Sequence, residues 1–177
     1  GSALFGANAV GGTINIITKD PKSNCFEVGN SLSSVGGKVW EDNMSANASI
    51  VGRDNEYGLS LYQTYRNRQQ YDHDGDGFTE LTRLSSQTLG MRAYLKTGTY
   101  SKLTAEYHHL QEFRRGGDNI FLPPHEAMIA EQVKHSINTG GLRFDWFSPD
   151  TKNRLNVFAS AQNIDRDSYY GAGQDPN

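Results

Sequence analysis

Residues 72 to 80 carry the side chains of this chain best spaced for chemistry: Asp72-His73-Asp74-Gly75-Asp76-Gly77-Phe78-Thr79-Glu80. Carboxylates at alternate positions can converge on a hard cation, and Gly77 permits the sharp bend between them. The pattern matches the first half of a calcium loop. A helix–loop–helix calcium site would need a bidentate glutamate at the twelfth position, where this chain has Arg83, and flanking helical patterns, which are missing. That site is excluded. Two readings stay open: a calcium site on a β-loop using Asp72, Asp74, Asp76 and Glu80, or a solvated Asp/Gly-rich loop. No cofactor is required by either, and the first reading places calcium in an extracellular loop.

A second candidate is Arg114-Arg115-Gly116-Gly117-Asp118-Asn119. Two guanidinium groups beside a flexible glycine pair could grip a carboxylate or phosphate of a ligand, or a lipopolysaccharide headgroup. The bland reading of Arg114 and Arg115 is a solvated loop rim. Pro123-Pro124-His125-Glu126 opens what reads as a short helix through Val133, with Pro124 in its first turn. His125-Glu126 is not a zinc-protease motif, because position 129 is Ile and the second histidine is lacking. His108 and His109 are adjacent on a strand pattern and so point to opposite faces. His73, His125 and His135 join no set. No nucleophile elbow, phosphate-binding glycine loop or paired metal motif occurs, and the expectation is a protein that is not an enzyme.

The segments that must position these residues alternate with the period of a strand. Phe26, Val28 and Leu32 share one parity; Met44, Ala46, Ala48 and Ile50 another run; then Tyr57, Leu59, Leu61 and Tyr65. Leu89, Met91, Ala93 and Leu95 alternate with Gly90, Arg92, Tyr94 and Lys96 in the cleanest case. Leu103–Tyr107, Leu142–Trp146 and Leu155–Ala161 complete seven strands, with Phe158 breaking the last pattern. Short polar links at 53–56, 97–99 and 148–153 alternate with segments read as loops at 36–42, 68–86 and 112–134, mostly much longer. Short turns at one end and long loops at the other are the plan of an antiparallel outer-membrane barrel. A soluble β-sandwich also alternates, but its core face is usually richer in Val, Ile and Leu than the Ala, Met and Tyr found here. Tyr57, Tyr65 and Trp146 stand near strand ends, where a membrane barrel keeps its aromatic girdles.

Bulk properties fit that plan. Mean hydropathy is -0.66, and no run of about 18 apolar residues exists to make a membrane helix. A barrel needs none, because only alternate residues face lipid. A net charge of -3 gives no reason to expect a nucleic-acid partner. Cys25 is the single cysteine, so an internal disulfide is impossible. No signal peptide opens the sequence, so an exported protein would have its beginning upstream.

The first residues add a named likeness. In Ser2-Ala3-Leu4-Phe5-Gly6-Ala7-Asn8-Ala9-Val10-Gly11-Gly12-Thr13-Ile14-Asn15-Ile16-Ile17-Thr18-Lys19, small residues lead to a glycine pair and then a β-branched strand. This string resembles the closing segment of the plug domain in TonB-dependent outer-membrane transporters, with Gly6, Gly11, Gly12 and Asn15 as its motif positions. The resemblance implies a plug end and linker at 1–24, Asp20-Pro21 marking the exit, and the N-terminal part of a transmembrane β-barrel at 25–177. The fold class expected is all-β, about seven strands of a parent barrel of roughly 22 with a filled lumen. It further implies the bacterial outer membrane and energy-coupled uptake of a scarce nutrient of the ferric siderophore, haem or cobalamin class. The implied partners are TonB, through an upstream segment, outer-membrane lipid and lipopolysaccharide, and the metal chelate or cofactor ligand. The ending Gly11–Lys19 looks more like the chelate and cobalamin branches than the glycan-importing branch. The alternative of another class is a passive porin-like or adhesive barrel.

Overall fold

Alternation of apolar and polar residues with few interior glycines or prolines leaves this chain one economical solution, a run of antiparallel hairpins. The computed structural model describes residues 19–172. Its strands are β1 (Cys25–Val35), β2 (Val39–Val51), β3 (Tyr57–Arg68), β4 (Arg83–Gly98), β5 (Ser101–Gly117), β6 (Ile129–Phe147) and β7 (Arg154–Ala172). They form a single antiparallel sheet in chain order, with β1 and β7 as edges that do not pair with each other. The only helical pieces among the described residues are 3-10 turns at Arg53–Asn55 and Pro124–Glu126. The motif positions Gly6, Gly11, Gly12 and Asn15 lie outside the described residues.

The register sorts the two faces. One face carries, strand by strand, Phe26, Ala48, Leu61, Met91, Tyr107, Gly140 and Ala161 in a single paired row. A neighbouring row of the same face runs Ile50, Leu59, Ala93, Ala105, Leu142 and Ala159. Further toward one end come Tyr57, Leu95, Leu103, Phe144 and Val157, then Trp146 and Leu155. The opposite face carries Ser49, Ser60, Arg92, Glu106, Gly141 and Ser160 in one row and Asn47, Tyr62, Gly90, His108, Thr139 and Gln162 in the next. Phe158 stands on this polar face, opposite Arg143.

A single layer has no ordinary core. Phe26, Val28, Leu61, Leu89, Leu142 and Val157 are all exposed on the apolar face, and no second sheet of the described residues covers them. They therefore do not form the two layers of a sandwich. A lone sheet with a bare apolar face cannot balance the entropy of ordering its chain in water. The buried residues Tyr71, Leu84, Ala127, Ala130 and Val133 gather instead at the end of the sheet where the longer connections lie.

Four expectations about connections change, the first being that the loop expected at 68–86 narrows to 69–82 because β3 runs to Arg68 and β4 opens at Arg83. The segment 36–42 is not a loop: Val35 pairs with Val39, leaving a turn of residues 36–38. Gly36 (φ 59°) and Gly37 (φ 69°) supply the two positive angles of a primed hairpin turn, and Lys38 N–H donates to Val35 O. The loop expected at 112–134 shrinks to 118–128, because β5 and β6 pair as far as Gly117 and Ala130. Residues there no longer sort by polarity, with Phe113, Ile129 and Val133 among Glu112, Arg114 and Lys134, so backbone pairing continues where the amphipathic signal has ended. The helix expected from Pro124 to Val133 is a single 3-10 turn; Ala127 returns to extended backbone (φ -85°, ψ 155°), and Ile129 opens β6. Strand β7 likewise runs past Ala161, where the pattern ends, to Ala172.

The connections at 52–56, 99–100 and 148–153 define a turn end of the sheet; those at 36–38, 69–82 and 118–128 define a loop end.

Candidate functional site

The acidic loop is built by its own peptide groups. Asp72 accepts from the N–H groups of Gly75 (2.6 Å) and Gly77 (3.0 Å), Asp74 from Asp76 N–H (3.3 Å), Asp76 from Phe78 N–H (2.8 Å) and Glu80 from His73 N–H (2.5 Å). Gly77 (φ 92°) makes the bend that a side chain would strain. These bonds bring Asp72, Asp74, Asp76 and Glu80 together, each with a ligand oxygen within 4.8 Å of the others. Four convergent carboxylate oxygens suit a hard divalent cation such as calcium, and the same geometry serves a water-filled Asx loop.

Neighbouring connections hold this loop in place. Tyr71 and Leu81 exchange backbone bonds of 3.0 and 3.1 Å at its base. Thr79 N–H donates to Gly117 O (3.2 Å) while Gly117 N–H donates to Thr79 Oγ1 (3.1 Å), which ties the loop to β5. The Tyr71 ring lies against Gly36, where an added Cβ would come within 2.2 Å of the hydroxyl oxygen. Tyr71 hydroxyl and His73 Nδ1 are hydrogen-bonded at 3.0 Å.

Arg114 and Arg115 part company. As consecutive residues of β5 they project to opposite faces. Arg114 is on the polar face, half-exposed, and its Nε meets Glu112 Oε1 at 2.8 Å. Arg115 is 1% exposed and caps the backbone beneath the loop, donating to Gly116 O (2.8 Å) and Asp118 O (3.4 Å). Only Arg114 is placed to meet a ligand from the polar face. The histidines are likewise dispersed. His108 is hydrogen-bonded to Tyr62 hydroxyl (2.8 Å) on the polar face. His109 sits on the other face, 2.8 Å from Asn138 Oδ1. His135 keeps a buried Nδ1 with no partner.

Sequence reasoning read Asp20-Pro21 only as a linker and missed what it grips. Asp20 Oδ2 accepts from Lys102 Nζ (2.7 Å), and Oδ1 accepts from Arg92 Nε (3.2 Å) and Nη2 (3.1 Å). Arg92 also pairs with Glu106. Tyr94 hydroxyl donates to Pro21 O (3.4 Å), Ser49 Oγ to Ser23 O (2.8 Å), and Val51 N–H to Asn24 Oδ1 (2.7 Å). Burial pushes the Asp20 carboxyl up, but Lys102 and Arg92 outweigh it and hold the group below its ordinary value of 3.8. Residues 20–24 are thus fastened to the wall from β2 to β5. The only advance signal was the alternation of Arg92, Tyr94 and Lys102 on one face.

Other polar-face charges are also paired. Glu41 meets Arg66 (2.7 Å) and Arg68 (3.5 Å), and Asp145 meets Arg143 (2.8 Å) and hydrogen-bonds to Asn156. These pairs leave the charges of the polar face largely compensated by one another.

Comparison of the chain with protein-family models, with curated proteins and with solved structures finds no match.

Proposed function

We propose that residues 25–172 are part of the wall of a transmembrane β-barrel belonging to an outer-membrane receptor that takes up a scarce metal chelate or cofactor. The observation that carries this reading is the apolar band. It is continuous in register from β1 to β7, concentrated on one face with Phe158 and Ile164 among the exceptions on the other, and left bare by every other described residue. On β4 it occupies Leu89 to Leu95 and on β6 Gly140 to Trp146, within strands of 16 and 19 residues that exceed the ~9–11 with which a tilted strand crosses a bilayer. Lipid covers such a face at no cost in unpaired backbone, because the ladder satisfies the peptide groups; further strands at β1 and β7 would close the edges.

The opposite face then lines a lumen, and its charged pairs suit water or a plug rather than lipid. The grip on Asp20 lies on this luminal side, as required of a linker that leaves a plug inside the barrel. The likeness of Ser2–Lys19 to a plug ending supports the TonB-dependent class. By that class's mechanism, ligand binds from the loop end, where Arg114 and Arg66 face the lumen, and TonB pulls on the upstream domain to open a path. The turn end faces the periplasm and the loop end the exterior. The acidic loop takes calcium as an accessory ion that stiffens the 69–82 connection.

The test is uptake by cells producing the intact receptor, offered labelled cobalamin, haem or ferric siderophores with and without an uncoupler. Surface binding that persists while uptake collapses under the uncoupler is the expected result. Uptake indifferent to the uncoupler would replace this mechanism with a passive barrel.

A further inference from the structure

Lys102 stands in register between Lys96 on β4 and Asp145 on β6. Directly opposed residues have Cβ atoms about 5 Å apart, so its ammonium can reach the Asp145 carboxylate by turning its side chain alone. It turns instead to Asp20, which the linker brings to 2.7 Å. Asp145 is meanwhile buried and engaged through one oxygen. Arg143 Nε (3.0 Å), Arg143 Nη2 (2.8 Å) and the Asn156 amide all donate to Oδ1, and Arg154 Nη2 stands 3.9 Å from the same atom. None of these contacts reaches Oδ2. Arg92 also has a second partner: Glu106, its register neighbour on β5, to which it is joined while it holds Asp20. Each cation that grips Asp20 therefore has a carboxylate of the wall beside it.

The rest of the linker is held differently. Ser49 hydroxyl donates to Ser23 O and Val51 N–H to Asn24 Oδ1, immediately before β1 opens at Cys25. These bonds involve no charge, and they lie at the opposite end of the segment from Asp20.

We propose that residues 20–24 form a releasable strap: the Asp20 end lets go as Lys102 exchanges Asp20 for Asp145 and Arg92 falls back on Glu106, while Ser23 and Asn24 stay as the pivot. Removing one partner of a partly desolvated pair is costly chiefly because it strands the other charge. Here the wall strands none, and the freed Asp20 carboxylate passes to water. The chain upstream of residue 20 thus leaves the wall by a side-chain exchange, with every strand unchanged. A permanent clasp has no use for an open carboxylate oxygen in register with Lys102. The strap stands on contacts of the polar face and does not depend on what covers the apolar one.

A nitroxide at Lys19→Cys, in the intact protein with Cys25→Ser, reads the released fraction by electron paramagnetic resonance. Asp145→Asn removes the waiting partner and should lower the mobile fraction about threefold, the opposite of Asp20→Asn. In a Lys102→Gln background the same Asp145→Asn should change nothing, because the exchange is already lost. A label at Ser23→Cys should stay immobile in every variant. An unchanged or larger mobile fraction in Asp145→Asn would overturn the strap. So would an equal fall in the Lys102→Gln background, which would trace the effect to Arg143 and Arg154 instead of Lys102. Mobility at Ser23→Cys that rises with mobility at Lys19→Cys would deny the pivot and make the release a detachment of the whole linker.

Discussion

The carboxylate of Asp20 and the ammonium of Lys102, 82 residues apart in sequence, meet at 2.7 Å on the polar face of the sheet. With Arg92 on the other oxygen, the pair fastens the linker to the middle of the wall. All three side chains are a fifth to a third exposed, so water and salt weaken the grip to about 1 kcal/mol or less. Asp20→Asn should therefore free the linker about fivefold without unfolding the sheet. A nitroxide placed at Lys22, with Cys25→Ser, should report higher mobility by electron paramagnetic resonance; unchanged mobility would mean that Pro21, Ser23 and Asn24 hold the linker without it.

The same grip has a one-sided pH dependence. The Asp20 carboxyl is held below 3.8, so its stabilising contribution is present above that value and is lost as pH falls through the lowered one. The nitroxide spectrum should be flat from neutrality down to about pH 5 and loosen only well below the ordinary carboxylate range. Loosening between pH 7 and 6 would point to another group.

The two faces should answer differently to the same charge. Leu142→Arg, in the middle of the apolar band, should destabilise the folded barrel by about 2–4 kcal/mol in lipid. Ser160→Arg, on the polar face beside Gly141, should cost less than about 1 kcal/mol. Reversible denaturant unfolding in vesicles measures both, and equal costs would deny that one face meets lipid.

Calcium should bind the acidic loop without being needed for the strands. Tyr71, at the base of the loop, is placed to sensitise terbium bound among Asp72, Asp74, Asp76 and Glu80. Calcium-competable emission that disappears in Asp74→Asn with Asp76→Asn is expected. No emission from the wild type would leave those residues as a solvated loop.

Sequence legibility followed local asymmetry. Leu89 to Leu95 declared both strand and face, because its aliphatic residues alternate with Gly90, Arg92 and Tyr94. The outer halves of β5, β6 and β7 were hidden, since Gln111, Glu112, Arg114 and Lys134 are polar on either face and only the backbone ladder makes them strand. The Gly36-Gly37 hairpin was hidden by Trp40-Glu41-Asp42, which reads as loop until Glu41 is seen to hold Arg66 and Arg68. The acidic loop was legible from spacing alone, whereas parting Arg114 from Arg115 required knowing that β5 continues to Gly117. The Asp20 grip spans 72 and 82 residues, a range at which spacing carries no signal.

The most direct test of the transmembrane wall and its orientation is cysteine labelling of the intact receptor in living cells, in a Cys25→Ser background. Phe121, 83% exposed in the 118–128 connection, and Asn55, exposed in the 52–56 turn, mark the two ends of the sheet. A membrane-impermeant maleimide should label Phe121→Cys on intact cells and Asn55→Cys only after the outer membrane is permeabilised. Equal labelling of both on intact cells, or labelling of Asn55→Cys alone, would contradict the account.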